Sequence, residues 1–207
     1  AGNLLLSIVL RPCVNPAKYS GLAAVSGLAV LEALEKQGLA NETRLKWPND
    51  LVARGRKLGG ILVEAARDNE GKPFAVCGIG VNVNYTPQEV PDGGLAAIGL
   101  SDLNESVPAV DMLLDEVYHA VIDAVDTWAE RLNAMEENAG PLAPVHEEYI
   151  AHLNWIGERV TARSPVGDEL ARGIFQTVDD FGRACIETED GLRSFHFEEA
   201  SLRPLSE

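Results

Sequence analysis

Cysteine is scarce in this 207-residue chain: Cys13, Cys77 and Cys185 are odd in number, widely separated, and form no CxxC pair. That pattern excludes a disulfide scaffold and a thiolate zinc site, and it predicts reduced thiols in a cytoplasmic setting. Histidine is as sparse; of the four, His146 and His152 lie six apart, which is not a metal motif by itself. No run approaches the roughly 18 apolar residues of a membrane span, and no signal-peptide pattern occurs within these residues. Positive charge is in short supply too. Seventeen Lys and Arg against 32 Asp and Glu leave a formal charge of −15, which argues against nucleic acid as the principal partner. Two nucleotide signatures are also missing. There is no GxxxxGK[ST] loop, and the GxG at Gly78–Gly80 opens no predicted helix and lacks the third glycine of the dinucleotide fingerprint.

What the chain does have is an apolar fraction of 46%, ordinary for a globular protein with a sizeable core. Its positive charge is concentrated near one end. Residues 1–64 hold eight Lys/Arg and five Asp/Glu, whereas the remainder holds nine against twenty-seven. Either a basic region is reserved for an anionic ligand, or the split is a chance feature of an otherwise acidic, solvated surface.

The apolar run Leu4–Leu10 predicts a buried strand and begins within three residues of the chain start, which implies sequence upstream of it. Tyr19–Gln37, rich in Ala and Leu with Gly38 behind it, predicts a helix. Strands are expected at Thr43–Trp47, Leu51–Ala53, Gly59–Ala65 and Phe74–Val83, with a polar hairpin connection over Arg67–Lys72. Residues 86–108, with Pro87, Pro91, Gly93 and Gly94, read as a connection. Apolar positions from Leu113 to Leu132 then recur at helical spacing, and a second helix ends near His152. Strands clustered after one helix predict an α+β domain with a largely antiparallel sheet. After Asn154 the pattern changes to short hairpins, which predict a small barrel or half-barrel.

Two stretches can carry chemistry. In "RLKWPNDLVARGRKLGGILVE", Arg44–Glu64, the residues Lys46, Asn49 and Asp50 cluster at a strand end beside a proline turn, and Arg56-Lys57 precede Gly59-Gly60. Cations beside a glycine pair can approach a phosphate or carboxylate closely, since no Cβ stands in the way; a charged solvated turn is the plainer reading. In Gly78-Ile79-Gly80-Val81-Asn82-Val83-Asn84, glycines interrupt an apolar strand. Close approach of a flat ligand explains them, as does a bulged strand with an Asn-rich end.

These same stretches resemble the biotin protein ligase family. "KWPND" at Lys46–Asp50, "RKLGGILVE" at Arg56–Glu64 and "GIGVNVN" at Gly78–Asn84 are similar to three of its motifs in order and spacing, and "SLRP" at Ser201–Pro204 resembles the end of its C-terminal domain. The resemblance implies a class II synthetase-like fold: a mixed, largely antiparallel sheet flanked by helices over residues 1–154, N-terminally incomplete, followed by an SH3-like β-barrel over residues 155–207. It implies ATP, biotin and Mg2+ as ligands, biotinyl-5′-AMP as intermediate, and a lysine of a biotin carboxyl carrier domain as acceptor. By the same resemblance Lys57 lies between the biotin carboxylate and the α-phosphate, and Asp50 orients or deprotonates the incoming lysine. Asn49, Arg56, Gly59, Gly60, Gly78, Gly80 and Arg203 line the ligands, and Asn82 sits near the triphosphate and its metal. The family's GRGRxGRxW loop is expected upstream of Leu4–Leu10. Homodimers are common in the family, and whether a DNA-binding segment exists upstream is not written in these residues. Lipoate ligase, and a binding module without turnover, are the alternatives.

Overall fold

The computed structural model describes residues 2–84 and 94–205; Pro87, Pro91 and Gly93 of the expected connection lie outside them. Strand β1 (Leu4–Leu10) leads through a 3-10 turn at Pro16–Gly21 into helix α1 (Leu22–Lys36). Strands β2 (Thr43–Lys46), β3 (Asp50–Ala53), β4 (Arg56–Arg67) and β5 (Pro73–Val81) follow. They form one sheet in the order β1-β5-β4-β3-β2. Every ladder in it is antiparallel, so the expected mixture with parallel strands reduces to isolated bridges, Lys57 with Ala97 and Leu45 with Leu153. Short turns explain this for β2 to β5, because each successive hairpin reverses the chain, and β1 joins the edge at β5 after the helical crossover.

One face of the sheet is covered and the other is open. Along β5, Ala75, Cys77, Ile79 and Val81 are buried, while Val76, Gly78 and Gly80 between them are not. The covered face meets α1 and the long α3 (Val110–Asn133), whose Leu113, Val117, Val121, Val125 and Trp128 are buried at helical spacing. Gly27 lets α1 settle closely on the strands: a Cβ there would stand 3.3 Å from Leu45 Cδ2. On the open face Leu5, Val9 and Leu62 are exposed. The one-turn α2 (Leu100–Leu103) and α4 (His146–His152) complete the helices.

Strands β6 (Arg159–Arg163), β7 (Glu169–Val178), β8 (Ala184–Thr188), β9 (Gly191–Phe195) and β10 (Ser201–Pro204) make a second antiparallel sheet, ordered β10-β6-β7-β8-β9. The expected barrel is not formed. Among the described residues strand β9 pairs only with β8 and β10 only with β6, so the sheet does not close on itself. The link between β9 and β10, residues 196–200, turns back on itself, with Glu199 N and Ala200 N both donating to His196 O. So short a path across sheet strands roughly 4.8 Å apart requires the sheet to curl. It does not bring the edges into register, and β10 is four residues long and ends in Pro204, which has no N–H to offer.

The β7–β8 turn reaches back to the first sheet. Trp47 Nε1 donates to Gly182 O at 2.9 Å, Tyr149 Oη to Pro48 O at 3.1 Å, and Gly140 N to Asp180 Oδ2 at 3.0 Å. The turn that carries Pro48 and Asn49 is thus held from behind by the second sheet and by α4.

Candidate active site

Asp50 opens β3 immediately after the Trp47-Pro48-Asn49 turn, whose Trp47–Pro48 bond is cis. The β2–β3 register sets Lys46 opposite it, and the β3–β4 register sets Gly60 on its other side. A bulge between Leu51 and Val52 then brings Lys57 into line. Its backbone is fixed from the flank by the segment after residue 94: Lys57 N donates to Ala96 O at 2.8 Å and Ile98 N to Lys57 O at 2.9 Å.

The result is one carboxylate between two amines. Lys57 Nζ lies 2.5 Å from Asp50 Oδ1, and Lys46 Nζ lies 3.1 Å from Oδ2. Burial alone raises the Asp50 pKa, but the charge of Lys46 and the bond and charge of Lys57 outweigh it and hold the carboxyl below its ordinary value. Burial lowers the Lys46 pKa against the pull of Asp50, and the charges of Arg203 and Lys57 act in the same direction as burial. Gly60 admits the cluster, since a Cβ there would stand 3.3 Å from Asp50 Oδ1 and 3.4 Å from Lys57 Nζ.

Two cavities meet at this ion pair. One, of about 570 Å³, is lined by Lys46, Asn82, Leu95, Ala97 and Arg203 among others. A shallower trough of about 440 Å³ runs over the open face, along Ser7, Asn49, Leu62 and Gly78. Leu5, Asp50, Lys57, Gly60 and Gly80 line both. Gly80 and Gly78 are bare toward open space: a Cβ at either would find its nearest neighbour at 3.7 Å, an ordinary contact. Gly59 differs, because its Cβ would lie 2.4 Å from Gly80 O.

Of the residues singled out in the sequence, Lys57, Asp50, Gly59, Gly60, Gly80, Asn82 and Arg203 line the first cavity. Asn49 and Gly78 line the trough instead, and Asn49 Nδ2 donates to Ile61 O at 2.7 Å. Arg56 is not drawn in: it is exposed, and its guanidinium donates to Ala97 O. Asn82 is engaged on both sides of its amide, giving Nδ2 to Lys57 O and Ile98 O and accepting at Oδ1 from Asn3 Nδ2 at 3.3 Å. Among the described residues no group of three or more His, Cys, Asp or Glu stands ready for a metal. Together with that engaged amide, this does not make a protein cage for magnesium, which demands oxygen ligands in near-octahedral array. The lining from Leu95 and Ala97 was hidden in sequence, inside a stretch that reads as mere connection. Asn3 was hidden as well; its Oδ1 accepts from Val83 N at 3.0 Å while its amide nitrogen steadies Asn82.

Among the described residues no helix is long and apolar enough to cross a membrane. Comparison with known proteins gives a consistent result. The sequence profile of the Biotin/lipoate A/B protein ligase family matches residues 1–84, and that of the Biotin protein ligase C terminal domain matches residues 155–203. A biotin–[acetyl-CoA-carboxylase] ligase of Mycobacterium tuberculosis is 35% identical over 188 residues, covering 89% of this chain and 63% of the relative. The enzyme of the same name from Paracoccus denitrificans is 32% identical, covering 92% and 76%. The chain therefore spans a little under two thirds of the mycobacterial relative. The Aquifex aeolicus biotin protein ligase, solved in complex with biotin and ATP, superposes with a TM-score of 0.77 at 25% identity, covering 99% of this chain and 79% of that one.

Proposed function

The chain belongs to the biotin protein ligase family, and from that premise we propose that it activates biotin with ATP and transfers it to a lysine of a biotin carboxyl carrier domain. The observation that carries the reading is the meeting of two cavities at Lys57 and Asp50. A reaction that joins a carboxylate to a nucleotide needs two adjoining ligand sites with a cation at their boundary, and Lys57 stands at that boundary. The larger cavity, with Arg203 on one wall, suits the nucleotide. The trough along Leu62, Gly78 and Gly80 suits a flat, mostly apolar biotin, whose approach the bare glycines permit.

In the first step a biotin carboxylate oxygen attacks the α-phosphorus. A new P–O bond forms, the bond to the β-phosphate oxygen breaks, and pyrophosphate leaves with the electron pair. Lys57 offsets negative charge that gathers on both reactants. In the second step the carrier ε-ammonium gives one proton to Asp50. Its nitrogen attacks the acyl carbon, the acyl–phosphate C–O bond breaks, and AMP departs with that electron pair; the amide nitrogen releases its second proton to solvent. Asn49 holds the turn through Ile61, and Gly60, which lines both cavities, brings backbone up to the biotin. Magnesium belongs to this reading only as a companion of the triphosphate. Residues 155–207 form the C-terminal domain behind a catalytic domain of residues 1–154. Homodimers joined along a sheet edge, such as β1 with its exposed Leu5 and Val9, and a cytoplasmic location complete the proposal.

The test is an intact-mass spectrum of a biotin carboxyl carrier domain incubated with the protein, biotin and Mg-ATP, with pyrophosphate release followed in parallel. One added biotinyl group is the expected result. An unmodified carrier with no pyrophosphate released would overturn the assignment.

A further inference from the structure

The two amines that hold Asp50 sit in unlike surroundings. Lys57, at the mouth of both cavities, keeps 44% of its side chain exposed; Lys46, at the inner end of β2, keeps 5%. An exposed lysine can swing toward an incoming anion, whereas a buried one is confined by its packing. The oxygens of Asp50 are correspondingly divided, Oδ1 to the mobile partner and Oδ2 to the fixed one. The charged side chains that line the cavity around Asp50 are Lys46, Lys57 and Arg203.

In the ligase reading, on which this inference rests, Lys57 turns from Asp50 to the acyl phosphate. A carboxylate left in a low-dielectric wall without a cation would take up a proton or swing out. We propose that Lys46 is the positioning residue for the transfer step: it holds Asp50 Oδ2 in place, keeping the carboxylate charged and aimed after Lys57 has left, so that Oδ1 is free to receive the acceptor ε-ammonium. Lys46 acts through Asp50 and touches no reacting atom. The same cluster has two working states: with no anion bound, Lys57 closes over Oδ1 and occupies the place of the acceptor amine, and with the adenylate bound that place opens. Transfer therefore follows activation by exchange of one hydrogen bond.

The experiment is a carbon-13 NMR titration of the Asp50 carboxyl in the unaltered chain, Lys46→Met and Lys46→Arg, combined with rates of the two half-reactions. In Lys46→Met the Asp50 midpoint is expected to rise by about one pH unit or more, and Lys46→Arg to restore most of the shift. Transfer from preformed biotinyl-AMP should fall about tenfold further than pyrophosphate release, as expected when only the second step loses its oriented acceptor. Asp50→Asn, nearly isosteric, supplies a second route: the Lys46 ε-methylene midpoint should fall by a similar amount. An Asp50 midpoint unmoved in folded Lys46→Met overturns the proposal. So does an unmoved Lys46 midpoint in Asp50→Asn, or an equal loss in both half-reactions. Absence of pyrophosphate release by the unaltered chain strikes the ligase reading instead, while the titrations decide the coupling either way.

Discussion

Gly59 and Gly80 are neighbours on adjacent strands, yet each lacks a side chain for a different reason. At Gly59 the opposing backbone is already in place, and an added Cβ would meet Gly80 O at 2.4 Å. At Gly80 the added methyl would touch only Leu5 Cδ2, at 3.7 Å, on the open face. Gly59→Ala is therefore expected to lose about 3 kcal/mol of stability in urea unfolding, the upper end of overpacking costs. Gly80→Ala should be neutral or gain up to about 1 kcal/mol, because alanine has less freedom to lose, while the KM for biotin rises about tenfold through displacement in the trough. Comparable losses of stability in the two variants would contradict this division. Both glycines were visible in the sequence, Gly80 as an interruption of an apolar strand and Gly59 as half of a pair behind two cations; which of them served the fold and which the ligand was not, since that depends on what lies across the pleat.

The element that positions the chemistry is the turn between β2 and β3. It is short and carries Trp47 inward and Asp50 toward the cavity. It is anchored by Trp47 Nε1 on Gly182 O and by Tyr149 Oη on Pro48 O. Trp47→Phe removes the first bond and leaves a carbonyl unsatisfied, for a stability loss of about 1–2 kcal/mol by chemical denaturation. Its effect on kcat should be larger than that figure suggests, about tenfold in a steady-state assay, because the turn aims Asp50; an unchanged kcat would show that the anchor serves stability alone. Sequence periodicity located α1, α3 and the end of α4 to within a few residues, but it missed the one-turn α2, which lies inside the stretch read as a connection, and it shortened β4 to Gly59–Ala65 where it spans Arg56–Arg67. Its ends carry charges that break the alternation, and they are held as strand by ladders to β3 and β5, which no local pattern reports.

Across the whole molecule the second sheet matters because it delivers Arg203 to the larger cavity, the one proposed to take the nucleotide, and braces the turn from behind. Arg203→Ala should raise the KM for ATP about tenfold while leaving the KM for biotin within about twofold, the loss expected of one charge-assisted contact to phosphate. Equal effects on the two substrates would mean that the arginine supports the site only through packing. The sequence by itself determined the composition of the site: Lys46, Asp50, Lys57 and the glycines fall in contiguous motifs, because strand alternation and tight turns bring together residues that are already close in the chain. It also determined the α+β class, through periodicities of 3.6 and 2. Tertiary structure alone decided the rest. Lys46 and Lys57 divide the two oxygens of one carboxylate, Arg56 turns away, and Leu95 and Ala97 line the cavity from a stretch without motif. The C-terminal strands stop as an open sheet where a barrel was expected. Each of these depends on which edges and side chains meet across long separations, and propensity carries no information about such pairings.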